Sequence, residues 1–158
     1  MPKQQWGDEL SSDQIDAWAH RHIGRFYRGW FPKDRLPHTP QIGGYIVNMQ
    51  NANDGDGTHW VGLCITPKAC YYFDSFGFPP PKAIQRFVPQ DRTLFWSRKQ
   101  VQDPDSTSCG YFALDFLRAV SRGATIQKLR QRFSLSFREL RRNDATVHRL
   151  TGPIPRRG

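Results

Sequence analysis

The spacing of apolar residues near the start of the chain predicts an amphipathic helix. From Ile15 to Ile23 apolar residues recur three and four positions apart, so they share one face of a helix over about 12–23. Ser11 and Gln14 stand at the two positions of a capping box at its beginning. This first element is predicted to be structural.

Later stretches predict a sheet and four more helices. Runs rich in β-branched and aromatic residues predict strands at 43–48, 58–65, 69–76 and 93–97, the middle two forming an antiparallel hairpin. Further helices are predicted over 82–88, from Cys109 to about residue 122, from about residue 125, and after Ser136, where Ser136 and Glu139 repeat the capping-box signature. The stretch 24–40 is predicted to be an irregular connection, because glycines, prolines and charges interrupt its apolar residues. The elements together predict an α+β fold.

Length and charge add a domain prediction and a possible partner class. The 158 residues are expected to form one domain, with a basic helical region at 124–151 and a flexible tail at 152–158. Residues 118–158 contain eleven Lys or Arg and two acidic residues, whereas residues 1–117 contain twelve of each. Such a patch is typical of a surface that binds a polyanion, nucleic acid before membrane. A solvated basic face that only keeps the protein soluble explains the same charge equally well.

Cysteine usage and hydropathy indicate a soluble intracellular protein. The chain has three cysteines, an odd number, which fits a reducing compartment better than a disulfide scaffold. No apolar run approaches the length of a membrane span, and the N-terminus lacks a signal-peptide core. Because Cys and His residues do not cluster at ligand spacings, no metal site is expected.

Four residues have the chemistry of a cysteine-based acyl-transfer site. Cys109 follows the turn-forming segment 102–108 and opens an apolar helix, whose N-terminus favours a thiolate. His59 and Asp74 fall at facing ends of the predicted hairpin, where the carboxylate can orient the imidazole. Gln102 and the N–H of Cys109 can stabilise an oxyanion. Each of these residues could also be a structural residue, and a buried cysteine is common in protein cores.

Three segments resemble the catalytic blocks of the adenovirus-type maturation protease (adenain) family. They are Thr58-His59-Trp60, the block from Tyr72 to Phe78, and the block from Gln102 to Phe112, in which glutamine precedes cysteine by seven residues. The family includes proteases of Polinton/Maverick-like viruses and is related to the SUMO and ubiquitin-like-specific proteases. The resemblance implies a papain-like fold with permuted elements, in which a mixed sheet packs against a central helix that carries the nucleophile.

The resemblance also implies residue roles. Cys109 is expected to be the nucleophile, His59 the general base and acid, Asp74 the orienting carboxylate, and Gln102 part of the oxyanion hole, while Trp60 adjoins the substrate. The basic region adds a nucleic-acid-binding expectation for a set of arginines: Arg130, Arg132, Arg138, Arg141 and Arg142.

The implied function is that of a viral cysteine endopeptidase, a thiol protease that cleaves capsid or core precursor proteins during virion maturation in the host nucleus and the virion. Its chemistry requires no cofactor, and no membrane partner is expected. In the family, viral DNA and a disulfide-linked viral peptide activate the enzyme. Since no cysteine lies between Cys70 and Cys109, an activating peptide is expected to bind non-covalently. A deconjugating isopeptidase or deubiquitinase is one alternative, and a basic nucleic-acid-binding virion protein with an inactive site is another.

Overall fold

A computed structural model describes residues 9–53 and 59–155, without the side chains of residues 126 and 130. Its five helices and five strands are, in chain order, α1 (Ser12–His22), β1 (Tyr27–Pro32), β2 (Gly43–Asn48), β3 (Trp60–Ile65), β4 (Ala69–Phe73), α2 (Lys82–Phe87), β5 (Thr93–Trp96), α3 (Cys109–Ser121), α4 (Ile126–Gln131) and α5 (Leu140–Thr151). Short 3₁₀ turns at Gly24–Phe26 and Phe137–Glu139 precede β1 and α5. None of the helices among these residues is both long enough and apolar enough to cross a membrane.

The five strands form one mixed sheet in the order β1-β2-β3-β4-β5. The central pairs β2/β3 and β3/β4 are antiparallel, as the predicted hairpin requires, and the outer pairs β1/β2 and β4/β5 are parallel. Every residue of β2 and β3 is buried, because the sheet is covered on both faces. Alternate residues of β3 therefore belong to two cores, with Trp60 and Cys64 on the α3 side and Val61 and Leu63 on the α2 side.

Helix α3 packs directly on the sheet because two strand glycines leave room for it. A Cβ on Gly62 would lie 2.6 Å from the Phe116 ring, and one on Gly44 would lie 2.9 Å from Leu117. The nine residues from Cys109 to Leu117 are all buried, so α3 is the central helix of the fold. This close docking brings the N-terminus of α3 to the end of β3 where His59 lies.

The structure confirms most predicted elements and corrects two. The capping box of α1 is present, with the Ser11 hydroxyl accepting from the Gln14 N–H and the Gln14 side chain accepting from the Ser11 N–H. The stretch 24–40 was predicted to be irregular, but it contains strand β1. Gly29 adopts φ +121° at a register shift in this strand, so the sequence shows no regular alternation of apolar and polar residues. The capping box predicted at Ser136 is wrong: Ser136 makes no side-chain cap hydrogen bond, and α5 begins only at Leu140 after the 3₁₀ turn.

The last quarter of the described chain packs on α3 and α1. Leu129, Phe133 and Val147 join the core on the α3 side, and the Trp18 indole donates a hydrogen bond to the carbonyl of Thr151. Residues 152–155, predicted to be part of a tail, also make contacts, because the Gln14 side chain donates to the Pro155 carbonyl. The remainder of that predicted tail, 156–158, lies outside the described residues.

Candidate active site

Cys109 is the first residue of α3 and is buried. Its thiol is 3% exposed and accepts a hydrogen bond from the Trp60 backbone N–H at 3.5 Å. The first N–H groups of a helix have no intrahelical acceptor, so they surround this sulfur with positive potential. The next residue is a glycine, which fits this position because a Cβ on Gly110 would lie 3.1 Å from Leu10 and 3.3 Å from Trp60. The glycine thus allows Leu10 and Trp60 to pack closely against the start of α3.

His59 and Asp74 meet at the end of the β3–β4 hairpin. His59 directly precedes β3, Asp74 directly follows β4, and His59 Nε2 lies 2.9 Å from Asp74 Oδ1. The carboxylate is buried and also accepts the Phe76 N–H at 2.8 Å. The Phe76 ring lies against the imidazole, with the ring centroids 5.1 Å apart. These contacts fix the orientation of the imidazole.

The electrostatics favour a protonated His59. Burial lowers the pKa of His59, but hydrogen bonds and charge interactions with Asp74 and Cys109 outweigh it and raise the pKa from 6.5 to about 10. Because Nε2 binds Asp74, the nitrogen that faces Cys109 is Nδ1. The imidazolium form of His59 is therefore favoured at neutral pH, with the Asp74 carboxylate on one side and the Cys109 sulfur near the other.

Gln102 is fully buried in the loop before α3, and its amide already has partners. Its Nε2 donates to the Ser106 carbonyl at 2.9 Å, and its Oε1 accepts from the Ser75 hydroxyl at 2.5 Å. The Ser75 carbonyl also accepts the backbone N–H groups of Val101 and Gln102. The structure thus ties Gln102 to the Asp74–Gly77 turn and to its own loop. Its role in an oxyanion hole remains a prediction.

Trp60 is buried and lines a groove at the surface. Its indole N–H donates to the Leu10 carbonyl at 3.0 Å, and its ring meets Trp30 edge to face with centroids 5.7 Å apart. The groove has a volume of about 510 Å³ and runs between these two tryptophans and the N-terminus of α1. Asn48, which is 3% exposed, also lines it. Its Nδ2 has no hydrogen-bond partner in the described part of the chain.

The arginines that were predicted to bind nucleic acid differ in their exposure and in their ion pairs. Arg138, Arg141 and Arg142 are exposed, and Arg142 pairs with Glu139 at 3.0 Å. In contrast, the guanidinium of Arg132 binds the buried carboxylate of Asp115, which ties α4 to α3. The side chain of Arg130 lies outside the described residues.

Several residues around the site were not found from the sequence. Burial raises the pKa of Glu9 and the charge of His59 lowers it, so this carboxylate lies close to His59. From α5, Asn143, Asp144 and His148 contact the loop that carries Gln102. None of these residues belongs to a recognisable motif.

Comparison with known proteins agrees with the resemblance. The protease of porcine adenovirus A serotype 3 is 34% identical over 133 residues, covering 73% of this chain and 63% of the relative. The protease of bovine adenovirus 2 is 32% identical over 116 residues, covering 61% of this chain and 56% of the relative. Among solved structures, the ASFV pS273R protease matches with a TM-score of 0.57 and 16% identity, covering 94% of this chain and 69% of that one. No protein-family model matches the chain.

The five-stranded mixed sheet and the central helix that begins with Cys109 define the fold of a papain-like, permuted cysteine protease. The chain spans 63% and 56% of the length of the two adenovirus relatives. In sequence it is adenain-like, a homologue of the adenovirus proteases.

Proposed function

We propose that the chain acts as a viral cysteine endopeptidase, with Cys109, His59 and Asp74 as its catalytic triad. The observation that carries this proposal is the position of His59, hydrogen-bonded through Nε2 to a buried carboxylate and facing the sulfur at the N-terminus of α3. A residue that only stabilised the core would not need a charged imidazole beside a thiol. The substrates are viral capsid or core precursor proteins, cleaved in the host nucleus and the virion.

The geometry supports a two-step acyl transfer. The Cys109 sulfur attacks the scissile carbonyl, an S–C bond forms, and the negative charge on oxygen faces the Cys109 N–H and the Gln102 loop. His59 Nδ1 then gives its proton to the leaving amine as the C–N bond breaks. In the second step His59 takes a proton from water, the hydroxide attacks the thioester, and the thiolate leaves. Asp74 keeps the imidazole oriented in both steps.

The groove beside Trp60 supports a peptide substrate in an extended conformation. A buried amide donor without a partner costs about 1–3 kcal/mol, which a substrate carbonyl would recover at Asn48. A preference for small residues such as glycine near the cleaved bond is carried over from the resemblance to the adenovirus-type proteases, and the two tryptophans that line the groove are consistent with it. Asn48→Leu is therefore expected to raise KM for peptides more than it lowers kcat.

The test is labelling of thiols together with peptide hydrolysis. Burial raises the pKa of Cys64 and Cys70, so iodoacetamide at neutral pH should label Cys109 first. The label should be absent from Cys109→Ala and slower in His59→Ala. Hydrolysis of a glycine-containing peptide should fall about 100-fold in Gln102→Ala, as expected for a lost oxyanion donor. Equal labelling of all three cysteines in the folded protein would reject the proposal.

A substrate panel separates the protease from its two alternatives. Cleavage of ubiquitin-like fusions with little hydrolysis of short peptides would indicate a deconjugating isopeptidase. DNA binding without any hydrolysis would indicate a basic virion protein with an inactive site.

Activation by DNA is a separate part of the proposal, supported by the exposed cluster of Arg138, Arg141 and Arg142. Charge reversal at these three positions should abolish activation by DNA and leave the basal rate unchanged. The short edge strand β5 offers unpaired backbone groups to a non-covalent activating peptide. Addition of a β-forming viral peptide should then raise the rate without a disulfide.

A further inference from the structure

The loop between β5 and α3 contacts α5 at three points. We call residues 101–108 the nucleophile loop, because it carries Gln102 and leads directly into Cys109. Residues 101–108 contain no helix or strand. The positions of its side chains therefore depend on contacts with neighbouring elements.

The first contact is at the beginning of the loop. Asn143 is 2% exposed, and its Nδ2 donates to the Val101 carbonyl at 2.9 Å. The same amide spans the connection before α5, because it donates to the Ser134 carbonyl and accepts the Ser134 N–H, each at 2.7 Å. Asn143 thus fixes both α5 and the residue next to Gln102.

The second contact is in the middle of the loop, at Ser106. Hydrogen bonds from the Ser106 hydroxyl and the Asp103 backbone N–H lower the pKa of the buried Asp144 carboxyl against the effect of burial, and its Oδ1 has no hydrogen-bond partner in the described part of the chain. The Ser106 oxygens in turn accept from the Gln102 amide, at 2.9 Å to the carbonyl and 3.3 Å to the hydroxyl. A chain of hydrogen bonds therefore runs from α5 through Ser106 to the predicted oxyanion residue.

The third contact is at the end of the loop, next to the nucleophile. Ser108 Oγ lies 2.8 Å from His148 Nε2, and the His148 ring packs on Tyr111 with centroids 3.9 Å apart. Burial lowers the pKa of His148, so the neutral imidazole can accept a hydrogen bond from the Ser108 hydroxyl. Ser108 is the N-cap residue of α3, so this bond sets the start of the catalytic helix.

We propose that Asn143, Asp144 and His148 are positioning residues that hold the nucleophile loop so that Gln102 and the Cys109 N–H face the oxyanion. The inference rests on the proposed function, because it assigns these residues to the same acyl-transfer site. Donors to a transition state need placement within about 0.5 Å, which an unsupported loop does not give. None of the three residues contacts the substrate in this assignment.

The experiment compares four variants of the full chain. His148→Phe keeps a ring on Tyr111 and removes the bond to Ser108. Asp144→Ala removes the bond to Ser106, whereas Asp144→Asn keeps a side chain of the same shape that can still hydrogen-bond. Thr146→Ala is the control, because the Thr146 hydroxyl bonds only within α5, to the Arg142 carbonyl. Each variant is assayed for peptide kcat and KM, alkylation of Cys109 by iodoacetamide, and backbone hydrogen exchange over 101–108.

Alkylation needs the thiolate but no oxyanion donor, so the two rates should separate. His148→Phe and Asp144→Ala should lower kcat about 10- to 100-fold, as for partial loss of an oxyanion donor. Their KM and alkylation rate should stay within about threefold of the wild-type values, hydrogen exchange in the loop should rise, and Asp144→Asn should restore kcat. Parallel losses of alkylation and hydrolysis, or no loss of either, would overturn the proposal.

Failure of the proposed function gives a different result from failure of this inference. If the wild-type chain hydrolyses no peptide, the protease assignment fails and the catalytic part of the inference fails with it. Hydrogen exchange over 101–108 still tests whether α5 holds the nucleophile loop in place, because that measurement requires no activity. Unchanged exchange in both loop-contact variants would reject the bracing even in an active enzyme.

Discussion

Replacement of Asp74 by asparagine tests the electrostatic design of the site most directly. Asparagine has nearly the same shape, and its Oδ1 can still accept the Phe76 N–H, but it has no charge. The contacts with Asp74 and Cys109 raise the pKa of His59 from 6.5 to about 10. At ~1.4 kcal/mol per pKa unit, this shift corresponds to roughly 5 kcal/mol that favours the imidazolium.

Asp74 contributes both a hydrogen bond and a charge to that shift, as Cys109 does. If Asp74 supplies about half, Asp74→Asn removes ~2–3 kcal/mol, or roughly a 30- to 150-fold loss in kcat/KM near neutral pH. The pKa of His59 should fall by about two units in the same variant. The loss should be smaller for alkylation, since the helix N-terminus still supports the thiolate.

Two measurements check this prediction. The pH profile of kcat/KM should keep its upper limb near pH 10 in the wild type and lose activity from a lower pH in Asp74→Asn. Nuclear magnetic resonance of labelled histidines should show the same displacement for His59, with His59→Gln identifying its signal. An upper limb that stays in place, or a His59 pKa unchanged within half a unit, would refute the ion-pair reasoning.

The same shift also predicts a pH dependence of stability. Because the pKa of His59 is higher in the folded state than in the unfolded state, its stabilising contribution is complete below about pH 6.5 and is lost as the pH rises through 10. Wild-type stability should therefore fall over this range, and Asp74→Asn should show a weaker fall. Urea unfolding at several pH values measures both.

Three further predictions concern the surroundings of the site. Burial and the nearby charge of Asp103 raise the pKa of Asp144 to about 7, although two hydrogen bonds lower it. The contribution of Asp144 to folding stability is therefore present below about pH 4 and is lost as the pH rises through 7. Asp144→Asn should unfold at a higher urea concentration than the wild type at about pH 8, and an equal or lower midpoint would contradict this. Gly77→Ala should lower the free energy of unfolding by about 2–3 kcal/mol, because Gly77 has φ +80° and a Cβ would lie 2.7 Å from the backbone oxygen of Arg98. A change near zero in urea unfolding would show that the turn can relax. Arg132→Ala should destabilise the fold by about 3 kcal/mol, because it leaves the buried Asp115 carboxylate with only the longer ion pair to Arg118, at 3.8 Å. In contrast, Arg141→Ala at an exposed position should change salt-dependent DNA binding and leave the melting temperature unchanged; the reverse pattern would reject this division of the basic residues.

The sequence predicted the sheet and the central helix because their signals are local. Strands β2 and β3 are runs of β-branched and aromatic residues, and α3 begins with an apolar run after a turn segment. Strand β1 could not be predicted, since Gly29 and Pro32 interrupt its pattern and its pairing with β2 depends on the whole sheet. Tertiary contacts decide such elements, and propensity alone does not.

The candidate site likewise contains residues that local motifs predicted and contacts that no local motif predicted. His59, Asp74 and Cys109 lie at element ends within recognisable blocks, and the structure brings His59 and Asp74 to 2.9 Å. The contacts of Gln102 with Ser75 and Ser106, and those of α5 with the loop, join residues that are up to 42 positions apart. No local pattern encodes a buried hydrogen bond between an amide on one helix and a distant carbonyl. Such bonds became visible only in the folded chain.

The division of the site between a sheet and a helix bears on when activity can arise during synthesis. The ribosome produces His59 and Asp74 before Cys109, and the sulfur reaches the Trp60 N–H only after α3 has docked on the sheet. A nascent chain that stops before residue 109 lacks the proposed nucleophile, Cys109. A longer one has a nucleophile but lacks its imidazole until the two layers meet. Under the proposed function, an unfinished chain is therefore inactive, because the sulfur and the imidazole meet only after α3 has docked on the sheet.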